Sequence, residues 1–292
     1  MSDRTILVVV DPAATGEQPV IARSAWLAER VSARLELCIA DFGTELEAGP
    51  LWGASLPRPR DQVMEAHQRT LEALAEPLRE RGLDVGVEVI WEHPLSEALL
   101  RAIEARRPWL VAKDTEVGGP LRRTLFSNTD WDLIRSCPVP LLLVKPRTLA
   151  AKPRVIAAID PLHEHDKPGL LNEALYGLAV LLADATGGEL HAVHSCSPPM
   201  GIDLPSDVAD QLAEQHRQAF AEFLVSHPVP DGHAKLLPGP PAESLVRAAE
   251  DLEADLMVMG AVSRRGLTRW FIGSTAERIL DRLPCDLVIV KP

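Results

Sequence analysis

The chain has 292 residues, 46% hydrophobic and 25% charged, with a formal net charge of −12. That length suits about two domains of ~150 residues, and the acidic balance argues against a sequence-independent grip on nucleic acid or an anionic membrane, each of which needs a local Lys/Arg excess. Aromatic residues make up only 4%, so the core must be aliphatic, which favours helices packed on parallel sheets over an all-β sandwich.

Met1-Ser2-Asp3-Arg4 leads directly into the apolar run Thr5–Val10. We therefore expect no signal peptide, and four cysteines without a C-x-x-C pair suit a cytoplasmic protein. The run is β-branched and continuous, as in a strand buried on both faces. Val20–Val31 repeats apolar residues at helical spacing, and Arg34–Asp41 reads as a second strand. A Gly- and Pro-rich loop follows over 42–60. Asp61 is expected to cap a long helix with core positions Val63, Leu71, Leu74, Ala75 and Leu78, kinked or ended early by Pro77. Then come a strand at Val85–Trp91, a helix at Pro94–Ala105 and a strand at Trp109–Lys113. A helix at Asn128–Ser136 and a strand at Leu141–Lys145 complete the first half.

The same order then begins again. Arg154–Asp160 matches Arg4–Asp11 in kind, and each is followed by a proline. Helices are expected at Leu170–Ala185, Asp207–His227, Pro241–Leu252 and Ser274–Leu283. Strands are expected at Glu189–Ser195, Ala234–Leu237, Asp255–Met259 and Asp286–Lys291. Aligning Pro146 with Pro292, without a gap, pairs Val144 with Val290, Pro138 with Pro284, Thr129 with Thr275 and Arg123 with Arg269. It also pairs Leu110 with Leu256, Arg101 with Arg247 and Pro94 with Pro240. An ungapped match over about 50 residues marks a duplication. Two domains follow, 1–150 and 151–292. Each is expected to be a Rossmann-like α/β unit with a five-stranded parallel sheet of order 3-2-1-4-5. Its ligand crevice would lie outside the carboxyl ends of strands 1 and 4. The final strands, LLLV and LVIV, are apolar edges. Such edges invite pairing, so the two domains are expected to join through them, with a homodimer on another surface as the alternative.

In the second half Asp160, His194, Ser195 and Gly260 reach the crevice, and Gly273-Ser274 opens the last helix. Backbone N–H groups at a helix start favour an anion. Ser274-x-x-Glu277 also fits a structural capping box. His191 and His194, three apart on one strand, face opposite sides and are not expected to share a metal. The loop cluster His163-Glu164-His165-Asp166 reads as solvated, with a metal site as the weaker alternative, and Arg264, Arg265 and Arg269 either steer an anionic ligand or form a solvated loop. Trp52, Trp109, Trp131 and Trp270 read as packing residues. Cys38, Cys137, Cys196 and Cys285 form no C-x-x-C pair and are expected to be reduced thiols. No nucleophile elbow, P-loop lysine motif or H-E-x-x-H occurs, so nothing points to catalysis.

Gly260-Ala-Val-Ser263, nine residues and Gly273-Ser274, then a helix and a final apolar strand ending in Lys291, resemble the G-x2-G-x9-G-[ST] motif of the universal stress protein family. The stretch Asn128–Pro138 is similar to that family's two-domain E type. The resemblance covers both halves. It implies tandem domains of the adenine nucleotide alpha hydrolase-like fold, a role in surviving stress and, in some members, ATP binding without a conventional enzyme mechanism; slow hydrolysis stays open. It places Asp160 at the adenine–ribose moiety, Met259 and Gly260 along the site, and Gly273, Ser274 and Thr275 at phosphate. Ser263 departs from the motif, which has its second glycine there. In the first half Asp114, Val117, Ser127 and Asn128 stand at the motif positions, and no ATP is expected. The alternative to a nucleotide-binding protein is a nucleotide-free scaffold for another small ligand or a protein partner.

Overall fold

The computed structural model describes residues 4–14, 16–42, 59–115, 128–162, 170–197, 205–260, 279–280 and 282–291. They fall into two compact units, the first made mainly of residues up to Pro146 and the second mainly of Arg147 onward.

The first unit alternates β1 (Thr5–Val9), α1 (Pro19–Val31), β2 (Arg34–Asp41), α2 (Pro59–Glu80), β3 (Val85–Trp91), α3 (Leu95–Arg106), β4 (Leu110–Asp114), α4 (Asn128–Ser136) and β5 (Leu141–Val144). Its strands run β3-β2-β1-β4-β5, and every neighbouring pair is parallel. Ile6, Leu7, Val8, Val9 and Val10 are all buried, as a central strand covered on both faces requires. The order reverses between β1 and β4, which places the switch point at their carboxyl ends.

The second unit repeats the plan: β6 (Arg154–Ala158), α5 (Leu171–Thr186), β7 (Glu189–Cys196), α6 (Ser206–Ser226), β8 (Ala234–Pro238), α7 (Pro241–Asp251), β9 (Leu256–Gly260) and β10 (Asp286–Val290). Its order is β8-β7-β6-β9-β10, again parallel throughout. Ile279 and Leu280 are helical, and the rest of the expected helix before β10 lies outside the described residues, apart from Arg282 and Leu283.

Two local devices set the entry to this second sheet. Gly187 ends α5 at φ 63°, and Gly188 then enters β7 so close to Pro153 that a Cβ would lie 2.2 Å from its carbonyl oxygen. The same carbonyl accepts the Glu189 N–H at 2.9 Å, so backbone occupies the space a side chain would take. The second device is Asp255, only 2% exposed. Its carboxylate accepts Arg147 Nη2 at 3.0 Å, the Ala150 N–H at 3.2 Å and the Arg154 N–H at 3.0 Å. Arg147 Nη1 also donates to the Ala254 carbonyl at 2.6 Å. One buried anion thus ties the segment leading into β6 to the start of β9.

The structure corrects the reading of α2. The helix starts at Pro59, so Asp61 sits in its first turn rather than capping it, and it continues through Pro77 to Glu80. Leu71, Ala75 and Leu78 are buried along one face, and that burial holds the last turn despite the missing N–H. The four cysteines are thiols, and burial, with Glu88 nearby, pushes Cys38 up to about 12. Trp109 packs beneath the Arg4 guanidinium at 5.5 Å, while Trp52 and Trp270 lie outside the described residues.

Candidate functional site

In both units the first strand ends two residues before an aspartate, Asp11 or Asp160. Each aspartate's backbone is held by an amide side chain from the start of the next helix. In the first unit Gln18 Oε1 accepts the Asp11 N–H at 2.8 Å, and Gln18 Nε2 donates to the Asp11 carbonyl at 3.1 Å. In the second, Asn172 Oδ1 accepts the Asp160 N–H and Asn172 Nδ2 donates to its carbonyl, both at 3.1 Å. The clamp satisfies two backbone groups that have left the sheet ladder. Sequence patterning did not single out either amide. Their position at the first helical turn was the available signal.

The neighbouring strand ends distinguish the two units. At the end of β4, Asp114 Oδ1 accepts the Val20 N–H at 2.8 Å. Val20 is the second residue of α1, whose cap residue Gln18 makes no side-chain cap bond. Asp114 therefore takes the place of an external anion at that helix start. Burial raises its carboxyl from 3.8 to about 6, with Asp11 adding to the rise; the Val20 N–H, Lys113 and Arg23 oppose it. Two carboxylates, Asp11 and Asp114, thus stand at the first crevice.

Gly260 holds the equivalent place at the end of β9. Here the start of α5 comes close: a Cβ on Gly260 would lie 2.7 Å from Leu171 Cδ2 and 2.9 Å from Leu171 Cγ. The glycine therefore has a packing reason, independent of any ligand. It leaves this strand end without charge. Register places Met259 beside Ala158 of β6, which brings the Asp160 turn and Gly260 to the same carboxyl edge. The Met259 side chain is 7% exposed, so it belongs mainly to the core below that edge. Ser263, Gly273, Ser274 and Thr275 lie outside the described residues, as do Val117, Ser127, the basic loop and the 163–166 cluster.

Beneath Asp160 the backbone is braced again. The buried His194 donates from Nδ1 to the Ile159 carbonyl at 3.1 Å, and its Nε2 meets His216 Nδ1 at 2.8 Å. Ser195, also expected at this edge, donates from Oγ to the Gly239 carbonyl at 2.8 Å. Both residues support the rim rather than face outward from it. His191 is separate: it is buried against His233, and burial together with that neighbour lowers its pKa.

Two copies of the doubly wound parallel strand order, each with its switch point between the first and fourth strands, define a tandem protein of the Rossmann-like α/β class. The universal stress protein family model matches residues 3–145 and again 153–291, and the chain belongs to that family. It is a tandem universal stress protein, of the stress response. It is 28% identical to Universal stress protein E of Salmonella typhi, over 99% of this chain and 94% of that protein. Among solved structures, a universal stress protein from Archaeoglobus fulgidus DSM 4304 superposes with a TM-score of 0.73 at 17% identity, covering 100% of this chain and 99% of that one. A functionally unknown protein from Pseudomonas aeruginosa PAO1 gives 0.76 at 24% identity, covering 99% and 92%. These structural likenesses support the fold. Among the described residues no helix is long and apolar enough to cross a membrane.

Proposed function

We propose that the C-terminal domain, 151–292, binds one adenine nucleotide, ATP, at the carboxyl edge of β6 and β9, and that the N-terminal domain, 1–150, binds none. The observation that carries this is the exchange of Asp114 for Gly260 at corresponding strand ends. Beside the aspartate that both crevices share, Asp11 or Asp160, the first carries a second carboxylate at the end of β4, whereas the corresponding end of β9 has neither side chain nor charge. An anionic ligand is repelled by the first and tolerated by the second. Asp160 is assigned to the adenine–ribose moiety, Met259 and Gly260 to the lining, and Ser263, Gly273, Ser274 and Thr275 to phosphate. The Ser263 hydroxyl serves there as a donor in place of a glycine backbone. Members of the family are generally not enzymes, and we assign this chain a binding role in the cytoplasm. The apolar edges β5 and β10 are assigned to pairing between the domains.

One observation favours a nucleotide-free scaffold instead. Leu171 already packs against Gly260, so a ligand must fit above that side chain. Calorimetric titration of ATP into the full chain separates the readings. The proposal expects binding that is lost in Gly273→Arg and in Gly260→Asp, with no phosphate release over hours. Absence of heat from the wild-type protein establishes the scaffold reading, and steady phosphate release overturns the non-enzymatic assignment.

A further inference from the structure

At the amino-terminal end of the second sheet, opposite the crevice, β7 begins with Glu189 and His191, and β8 is preceded by His233. The Ala192 N–H donates to the His233 carbonyl at 3.0 Å, and Ala192 is in register with Ala234. This pairing sets His191 beside His233. The rings lie 4.1 Å apart and 7° from parallel. His191 is 6% exposed, and neither of its ring nitrogens has a hydrogen-bond partner. The closest carboxylate, Glu189, stops 3.8 Å from its Nε2, beyond hydrogen-bond reach. An imidazole buried in this state is unfavourable unless something else satisfies it.

The surrounding groups indicate what does. His233 Nδ1 lies 2.9 Å from the Leu190 carbonyl. A carbonyl only accepts, so Nδ1 carries the proton and the Nε2 lone pair is left for a ligand. This carbonyl-held tautomer is the second-shell arrangement that metal-binding histidines use. One potential ligand atom from each of Glu189, His191 and His233 lies within 4.8 Å of the others. Glu189 is exposed and can swing inward, although Arg154 Nε, 3.7 Å from its carboxylate, competes for it.

We propose that Glu189, His191 and His233 form a binding site for one divalent transition-metal ion of the zinc class. Two imidazole nitrogens and one carboxylate oxygen suit Zn²⁺, Co²⁺, Ni²⁺ or Cu²⁺ and are unsuited to Mg²⁺ or Ca²⁺. With metal–nitrogen bonds of about 2.0–2.1 Å, the three ligand atoms must draw together and the histidine rings must turn out of their stack. Water fills the remaining position, which stays exchangeable. The site sits on the strand neighbouring β6, so metal binding would tie the edge strand β8 to the sheet independently of any nucleotide.

The test is titration of chelator-treated full-length protein with Zn²⁺ by calorimetry and with Co²⁺ by visible absorption. The expected result is one ion per chain, with affinity falling at least about tenfold in His233→Ala and in Glu189→Gln, and His191→Leu binding none. The half-buried His233 and exposed Glu189 make their variants the reliable pair if His191→Leu unfolds by circular dichroism. A His163→Ala/His165→Ala double variant should bind as wild type, and loss of binding there overturns the assignment. So does the absence of heat at about 100 μM Zn²⁺, or unchanged binding in the Glu189 and His233 variants.

Discussion

Replacing Asp114 with Asn keeps an oxygen to accept the Val20 N–H while removing the charge. Raising a carboxyl from 3.8 to about 6 corresponds to about 3 kcal/mol of disfavoured ionisation in the folded state. Asp114 keeps some contact with solvent, and screening brings the expected effect down to about 1–2 kcal/mol. The sign follows from linkage. Asp114 has a folded pKa above its unfolded one, so its stabilising contribution is complete below 3.8 and lost as pH rises through about 6. Asn mimics the protonated side chain at every pH. The variant should therefore match the wild type near pH 4 and exceed it at pH 8. Urea melts at both pH values read the difference. A variant less stable than wild type at pH 8, or a difference that does not change with pH, would refute the burial argument. It would mean that the charge–helix interaction at α1 outweighs desolvation.

Asp255→Ala removes the acceptor of Arg147 Nη2 and of two backbone N–H groups, while Arg147 Nη1 keeps the Ala254 carbonyl. It should cost about 2–3 kcal/mol, mainly from the orphaned N–H groups, and a loss below about 1 kcal/mol in urea melts would show that the anchored segment finds other partners. Gly188→Ala drives a methyl into the Pro153 carbonyl at 2.2 Å. Because backbone must move, we expect about 2–3 kcal/mol of destabilisation, visible as a lower melting temperature; an unchanged melt contradicts the close approach. If Asn172→Ala frees the Asp160 backbone, stability should fall by about 1–3 kcal/mol, and ATP affinity should fall more than it does in Gln18→Ala.

Hydrophobic periodicity revealed the elements well because both sheets are parallel and doubly covered. The runs Arg34–Asp41 and Val85–Trp91 became β2 and β3 with those bounds. The repeat identified Asp114 as the counterpart of Gly260, and its charge alone disfavoured an anion. Its bond to Val20 crosses 94 residues, a distance over which patterning carries no information. Leu171 and Asn172 were invisible for a similar reason: both look like ordinary first-turn residues until α5 is placed against β6 and β9. His191 was judged against His194, three residues away on the same strand, whereas strand register sets it beside His233. Of the kink or early end expected at Pro77, the early end does not occur: α2 runs on to Glu80, where buried neighbours on the same face outweigh the local penalty of proline.

The central claim is that a duplicated crevice has kept one nucleotide site and closed the other with its own carboxylate. Equilibrium dialysis of ATP against the purified full chain measures this directly. The account predicts one ATP per chain at saturation. Two per chain would show that Asp114 does not close the first crevice, and none would show that Gly260 serves only the packing of Leu171.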